Sequence, residues 1–250
     1  MLPPGTRILR SAGFFCDTLR FQMATRVAVY IDGFNLYHAL DTFSFRSQND
    51  RGARQEHLKW LCLQTLAKQL VFSRSETVVA VKYFSAFAEH LKATNPEKVQ
   101  RHVVYQRALA AQGVECVLGS FKKKRVWCNV CRAYRPAREE KETDVNLATA
   151  LLDDAYQDLF DAFFVVTTDT DFQPAIARVK LRFPEKSFVS VSTPGRPHAQ
   201  ALLAIADRHL AISERMLVVS RLPEEVPLAN GRVLRCPEEY RLPSTPNQGG

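Results

Sequence analysis

Phe163-Phe164-Val165-Val166-Thr167-Thr168-Asp169-Thr170-Asp171-Phe172 is the stretch from which the fold can be read. Its first four residues are aromatic or β-branched and too few for a helix. They suit a strand buried on both faces of a parallel sheet. The run stops at two hydroxyls and two carboxylates. Phe172, Pro174, Ala175, Ile176 and Val179 then resume at helical spacing, with Pro174 in a first turn that tolerates it. Two acids therefore lie in a strand-to-helix loop at the carboxyl end of a central strand, the edge where open α/β sheets bind ligands. Taken alone, Asp169 could equally be a helix cap and Asp171 a complement to the helix dipole, stabilising by roughly 1 kcal/mol.

The pattern recurs along the chain. Val27-Ala28-Val29-Tyr30-Ile31 is a second continuous apolar run that ends in an acid, in Asp32-Gly33-Phe34-Asn35. Gly33 permits a sharp turn, and Asn35 opens a helix reaching about residue 42. Residues 45–54 read as a polar loop and 55–70 as one helix. A strand over 78–84 and a helix over 96–112, stopped by Gly113, lead to a short strand over 114–118. Thr143 is the expected N-cap of a helix over 143–156 that is apolar nearly all round and should be sandwiched. A strand over 187–191 and a short helix over 198–206 follow. About five strand–helix alternations predict an α/β fold: one doubly wound parallel sheet flanked by helices. Residues 1–22 lack periodicity and caps, and Met23 resembles an alternative start, so this extension is expected to be disordered. The domain is placed at 23–207. A tail over 208–250, with prolines at 223, 227, 237 and 243, is expected to pack on it as an irregular segment.

Composition narrows the function. A chain of 250 residues that is 46% hydrophobic has ample material for a core. No apolar run approaches the roughly 20 residues that span a bilayer. Six irregularly spaced cysteines do not resemble a secreted disulfide framework, so a reducing cytoplasm is the expected compartment. The net charge of +8 is concentrated. Residues 122–141 hold eight Lys/Arg against two Glu, three quarters of the excess, and the rest lies in residues 1–22. Such a patch suits a polyanion. It interrupts the α/β alternation and is expected to form a hairpin-like excursion at the sheet edge. Lys122, Lys123, Lys124 and Arg125 supply charge, while Trp127 and Tyr134 supply faces on which bases of a single strand can stack. An ordinary solvated loop is the plainer alternative. Cys128-x-x-Cys131 is half of a zinc-ribbon pattern with no second pair at ribbon spacing, and is read as plain thiols. The six histidines show no metal spacing, and no Ser-His-Asp or Cys-His arrangement can be assigned.

Asp32 follows one strand, Asp169 and Asp171 follow another, and Asp144 starts a helix that can point at the same edge. Clustered carboxylates repel unless a cation neutralises them. Hard oxygen ligands with hydroxyl and amide support suit Mg²⁺ or Mn²⁺ rather than zinc. These residues also resemble a known family. Val29-Tyr30-Ile31-Asp32-Gly33-Phe34-Asn35-Leu36, Lys141-Glu142-Thr143-Asp144-Val145-Asn146-Leu147-Ala148 and Thr168-Asp169-Thr170-Asp171-Phe172 are similar, in order and spacing, to the three signatures of NYN domains, the LabA-like branch of the PIN-like nucleases. The resemblance spans about residues 26–207. It implies a metal-dependent endoribonuclease acting on RNA, with Asp32, Asp144, Asp169 and Asp171 as the catalytic, metal-binding acids and Asn35 helping to hold substrate or metal. Many members carry Ser-Gly before the first acid of the last motif. Thr167-Thr168 stands there in this chain, which puts Thr168 beside the phosphate path. No organic cofactor and no membrane partner is implied, and homo-oligomerisation is left open. The alternative is an RNA-binding regulatory module that keeps the acidic pocket without turnover.

Overall fold

In the computed structural model, residues 24–46, 55–87, 91 and 94–242 are described. The extension over 1–22, the loop over 47–54 and the last eight residues of the tail lie outside them. In chain order the elements are β1 (Thr25–Asp32), α1 (Gly33–Arg46), α2 (Leu63–Leu70), β2 (Glu76–Ala86), α3 (Pro96–Ala111), β3 (Glu115–Cys128), β4 (Ala133–Lys141) and α4 (Thr143–Tyr156). They continue with β5 (Ala162–Val166), α5 (Gln173–Arg182), β6 (Ser187–Ser192), α6 (Gln200–Leu203), β7 (Arg208–Ala211), α7 (Glu214–Val219), β8 (Glu225–Pro227) and β9 (Val233–Arg235).

β1 is central because its run from Val27 to Asp32 offers nothing to solvent: every one of those residues is buried. It pairs in parallel with β2 and with β5. The main sheet runs β4-β3-β2-β1-β5-β6-β7, with β4 antiparallel at one edge. Alternation along β1 divides the core. Val27, Val29 and Ile31 pack with Leu36, Leu40 and Leu66 under α1 and α2. Ala28 and Tyr30 pack on the other face with Leu147, Leu151 and Ile176 under α4 and α5. Phe163 and Phe164 point to opposite faces and are both fully buried, each worth about 1.5–3 kcal/mol. The register sets Asp32 opposite Phe84, and Ile31 opposite Val166, so β1 and β5 end within one residue of each other and β2 runs two residues further.

The doubly wound parallel sheet is as the sequence predicts, with several differences. A sixth parallel strand, β7, lies within what reads as the start of an irregular tail. It is a four-residue edge strand, mostly exposed, and therefore carries no apolar run. The tail also holds α7 and the β8–β9 ribbon, and Trp60 donates its indole N–H to the Pro223 carbonyl at 2.9 Å. The helix expected over 55–70 is split into a short 3₁₀ turn at Glu56–Lys59 and α2, with Leu61 bridged to Arg221 between them. β3 does not stop near residue 118. Beyond Gly119 it leaves β2 and continues to Cys128, paired only with β4. The basic excursion is thus a β-hairpin that projects past the carboxyl edge by nine residues of β3, roughly 30 Å if straight. α4 is amphipathic rather than sandwiched, with Val145 and Tyr156 exposed, and Glu142 in left-handed conformation (φ 77°), not Thr143, precedes it.

A buried polar network fastens α4 to the sheet. Tyr30 donates its hydroxyl to Asp154 Oδ2 at 2.6 Å, and Lys82 Nζ reaches Asp154 Oδ1 at 2.9 Å. Burial, then the Asp154 bond, drives the Tyr30 hydroxyl far above its ordinary pKa, so it stays a donor. Removing one member of such a network leaves the others desolvated and unpaired. Asp154→Ala is therefore expected to destabilise the fold by about 3–5 kcal/mol in urea denaturation. A change under about 1 kcal/mol would show that α4 is held by apolar packing alone.

Candidate functional site

Asp32 is the deepest charge at the carboxyl edge, only 4% exposed. It ends β1 and caps α1: Oδ1 accepts the Asn35 backbone N–H at 2.9 Å, as an N-cap does. Oδ2 accepts the Thr167 hydroxyl at 2.9 Å. Burial pushes its pKa up to about 6. The Asn35 and Thr167 bonds oppose that shift, and the charges of Asp144 and Asp169 add to it. Thr167, fully buried, is a relay. Its oxygen also accepts the Asp169 N–H at 3.0 Å, and its own N–H goes to the Val191 carbonyl at 3.1 Å. Sequence reasoning passed over Thr167 as a site residue because a hydroxyl at a strand end is so often only a turn-former.

The Asn35 carbonyl oxygen gathers three loops. It accepts the Thr168 N–H and the Thr168 hydroxyl, each at 3.2 Å, and the Thr193 hydroxyl at 3.4 Å. Asn35 and Thr168, both expected at the substrate, are thus joined to each other. That leaves the Asn35 amide nitrogen as the half that could serve a ligand. The hydroxyl of Thr168, in the position of a family glycine, is spent on this clamp. Asp169 accepts the Asp171 N–H at 3.0 Å, turning the chain into α5, and Phe172 rather than Asp169 stands at that helix's N-cap.

Asp144 lies in the first turn of α4, directly after β4. Burial comes first in raising its pKa, followed by the charges of Asp169 and Asp171. The structure therefore puts Asp32 in the field of Asp144 and Asp169, and Asp144 in that of Asp169 and Asp171. It does not draw them into a coordination shell: among the described residues, no three His, Cys, Asp or Glu side chains stand close enough to hold a metal ion. Asp32's two oxygens are meanwhile each met by a hydrogen bond, from Asn35 and from Thr167.

The hairpin rises from the same edge, and its return strand leads into Asp144 through Glu142, whose Oε2 accepts the Ser120 hydroxyl at 3.1 Å. Trp127 and Tyr134 face each other across the ladder with ring centroids 5.2 Å apart, and the Arg125 guanidinium lies 5.3 Å from the Tyr134 ring centre. Both rings are about half exposed. Lys122, Lys123 and Lys124 occupy β3 opposite Glu139, Arg138 and Ala137. Their side chains lie outside the described residues.

A parallel α/β sheet with carboxylates where its central strands end belongs to the open α/β domains that bind ligands at the carboxyl edge. The NYN domain model matches residues 26–213, and the chain belongs to that family, within the PIN-like nuclease superfamily. It is also 24% identical over 235 residues to 6-hydroxy-3-succinoylpyridine 3-monooxygenase HspA of Pseudomonas putida (strain DSM 28022 / S16), covering 81% of this chain and 72% of that protein. A crystal structure of a protein of unknown function from Vibrio parahaemolyticus RIMD 2210633 is similar at 21% identity and a TM-score of 0.49, over 77% of this chain and 95% of the other.

The Asp32 environment has a consequence for stability. A carboxyl whose folded pKa is raised above its unfolded value stabilises at low pH, and that contribution disappears as pH rises through the folded pKa. In metal-free protein, stability should fall between about pH 4 and pH 6, by up to roughly 2–3 kcal/mol from this group. Asp32→Asn should flatten that slope in a pH series of chemical denaturations. An equal slope in the variant would place the titration elsewhere.

Proposed function

We propose that the protein is a metal-dependent ribonuclease that hydrolyses phosphodiester bonds of single-stranded RNA. The observation that carries this reading is the gathering of Asp32, Asp144, Asp169 and Asp171 from three separate segments at one sheet edge, where the charges of Asp144 and Asp169 oppose charging of Asp32, and those of Asp169 and Asp171 oppose charging of Asp144. Evolution of a stable fold alone gives no reason for that crowding, and a cation relieves it. Carboxylate oxygens with hydroxyl support fit Mg²⁺ or Mn²⁺. Among the described residues no three of these carboxylates stand close enough together to hold an ion, so Asp144, Asp169 and Asp171 would have to draw in around it, with Asp32 behind them. Such an ion supplies an activated water and neutralises charge developing at phosphorus.

The chain's own residues do the positioning. Thr167 fixes the Asp32 carboxylate and the Asp169 backbone together, and Asn35 locks the loops after β5 and β6. The hairpin offers cations and stacking faces along a path that ends at Asp144. The name of the Pseudomonas putida relative describes oxygenation of a pyridine. Hard acids beside a basic hairpin suit a phosphodiester chain better than a small organic acid. A reducing compartment such as the cytoplasm fits the unpaired state of Cys62, Cys116, Cys128, Cys131 and Cys236. A second reading, an RNA-binding module without turnover, draws support from the loose spacing of the acids among the described residues.

Labelled single-stranded RNA incubated with Mn²⁺ separates the two. Cleavage should appear with Mn²⁺, vanish in EDTA, and drop about 100-fold or more in Asp144→Asn. Binding without cleavage would favour the second reading, and cleavage that survives EDTA or Asp171→Asn would contradict the first. For the hairpin, Trp127→Ala should weaken RNA binding by about 1–3 kcal/mol with the salt dependence nearly unchanged. Replacing Lys122, Lys123, Lys124 and Arg125 by Ala should lower the salt slope by roughly 0.7 for each phosphate that the variant no longer neutralises. Wild-type behaviour of both variants across a salt titration would move the RNA path elsewhere.

A further inference from the structure

A cavity of about 310 Å³ opens next to the start of α1, on the face of the sheet covered by α1 and α3. It is at the small end of sites that take organic ligands. Gly33 and Phe34, the two residues after Asp32, form part of its wall, so it adjoins the acidic edge along the chain itself. Its walls are mainly aromatic carbon. Tyr83 and Tyr105 meet edge to face with centroids 6.1 Å apart, and Phe34 packs at 4.3 Å against His38 at the exposed end. Gly33 is needed for this shape. Its φ is not left-handed, but a Cβ there would meet the Tyr83 ring at 2.5 Å and the Phe84 carbonyl at 2.6 Å. The glycine lets the Tyr83 ring lie against the start of α1.

Polar groups are few and placed around that aromatic lining. Ser85 Oγ and His102 Nε2 lie 3.3 Å apart, and Gln106 Nε2 is 3.1 Å from the same imidazole nitrogen. Burial holds the His102 pKa down at about 4, so at neutral pH it is a neutral hydrogen-bonding group rather than a cation. Arg101 also lines the cavity, with its Nη1 paired to Glu239 and its Nε sealed from solvent. Two lysines flank Tyr37. Lys59 is buried and satisfied by Asp41 and Glu56 at 2.5 and 2.7 Å. Lys98 is exposed, 5.5 Å from the Tyr37 ring centre, and has no carboxylate partner among the described residues. The cavity thus combines aromatic faces, neutral groups that can read a ring edge, and one rim cation without a carboxylate partner among the described residues.

We propose that this cavity captures an unstacked base of the RNA strand, one nucleotide away from the phosphate at the acids, with Lys98 on that nucleotide's own phosphate. The aromatic walls would stack on the base, and Ser85 and His102 would meet its polar edge. This rests on the ribonuclease reading for its ligand class.

The test measures binding in EDTA, so it does not depend on turnover. A short single-stranded RNA is compared with the same strand carrying one abasic position, scanned along its length, on the full protein. At one position the missing base should weaken binding about 10-fold. That penalty should shrink to under about 2-fold in Phe34→Ala and in His102→Ala. Phe34 is half exposed, so its variant should keep the wild-type melting temperature. An equal affinity for every abasic strand would overturn the proposal, and so would an unchanged penalty in both variants. Displacement of the RNA by neither adenylate nor uridylate, together with saturable binding of benzoate, would assign the cavity to a free aromatic anion and overturn it equally. Cleavage with Mn²⁺ but no base dependence would sink only the cavity. Base dependence without any cleavage would sink only the nuclease.

Discussion

One buried carboxylate organises the working edge of this molecule. Asp32 closes β1, caps α1 through the Asn35 amide, and binds the hydroxyl that ends β5. A charge with so little solvent is tolerable only because both its oxygens are met. Each of those partners is itself tied onward. Asn35 accepts from Thr168 and Thr193, and Thr167 accepts from Asp169. The loops after three neighbouring strands are therefore fixed relative to one another by hydrogen bonds that converge on a single side chain. The deepest of the four acids thus serves the fold directly, through both of its oxygens.

The fourth acid is set from farther away. Asp144 sits on α4, and the position of α4 depends on Asp154, ten residues along the same helix, where it meets Tyr30 and Lys82 on the sheet. Tyr30 stands two residues before Asp32 on β1. The central strand thus presents one acid directly and steers another through a helix anchored two residues back. The hairpin enters the same construction from the other end, since β4 runs straight into α4. Hairpin, helix and acid share one continuous piece of chain from Glu115 to Tyr156.

The parallel sheet was legible because its inner strands are unbroken apolar runs ended by acids, and a strand buried on both faces can hardly be written otherwise. The acids were legible for the same reason, each following such a run or opening a periodic helix. What escaped was written in other terms. β7 is an exposed edge strand of four residues, with no apolar face to betray it. The extension of β3 is polar because its outer half has no sheet on either face, only β4 beside it. Thr167 and Asp154 act through partners 135 and 124 residues distant, a relation that local spacing does not carry. The aromatic cavity needs α1, β2 and α3 together, and its glycine reads as a turn in the sequence when its use is to admit the Tyr83 ring.

If the acids at the sheet edge work together, they form a cation site in the metal-loaded protein. Titration of Mn²⁺ into metal-free protein, followed by the disappearance of the free-ion paramagnetic resonance signal, tests this without any substrate. Saturable uptake of about one or two ions per chain is predicted, abolished when Asp144 and Asp169 are both replaced by Asn. Uptake that is absent in the wild-type protein, or unchanged in that double variant, would contradict a cation site built from these carboxylates.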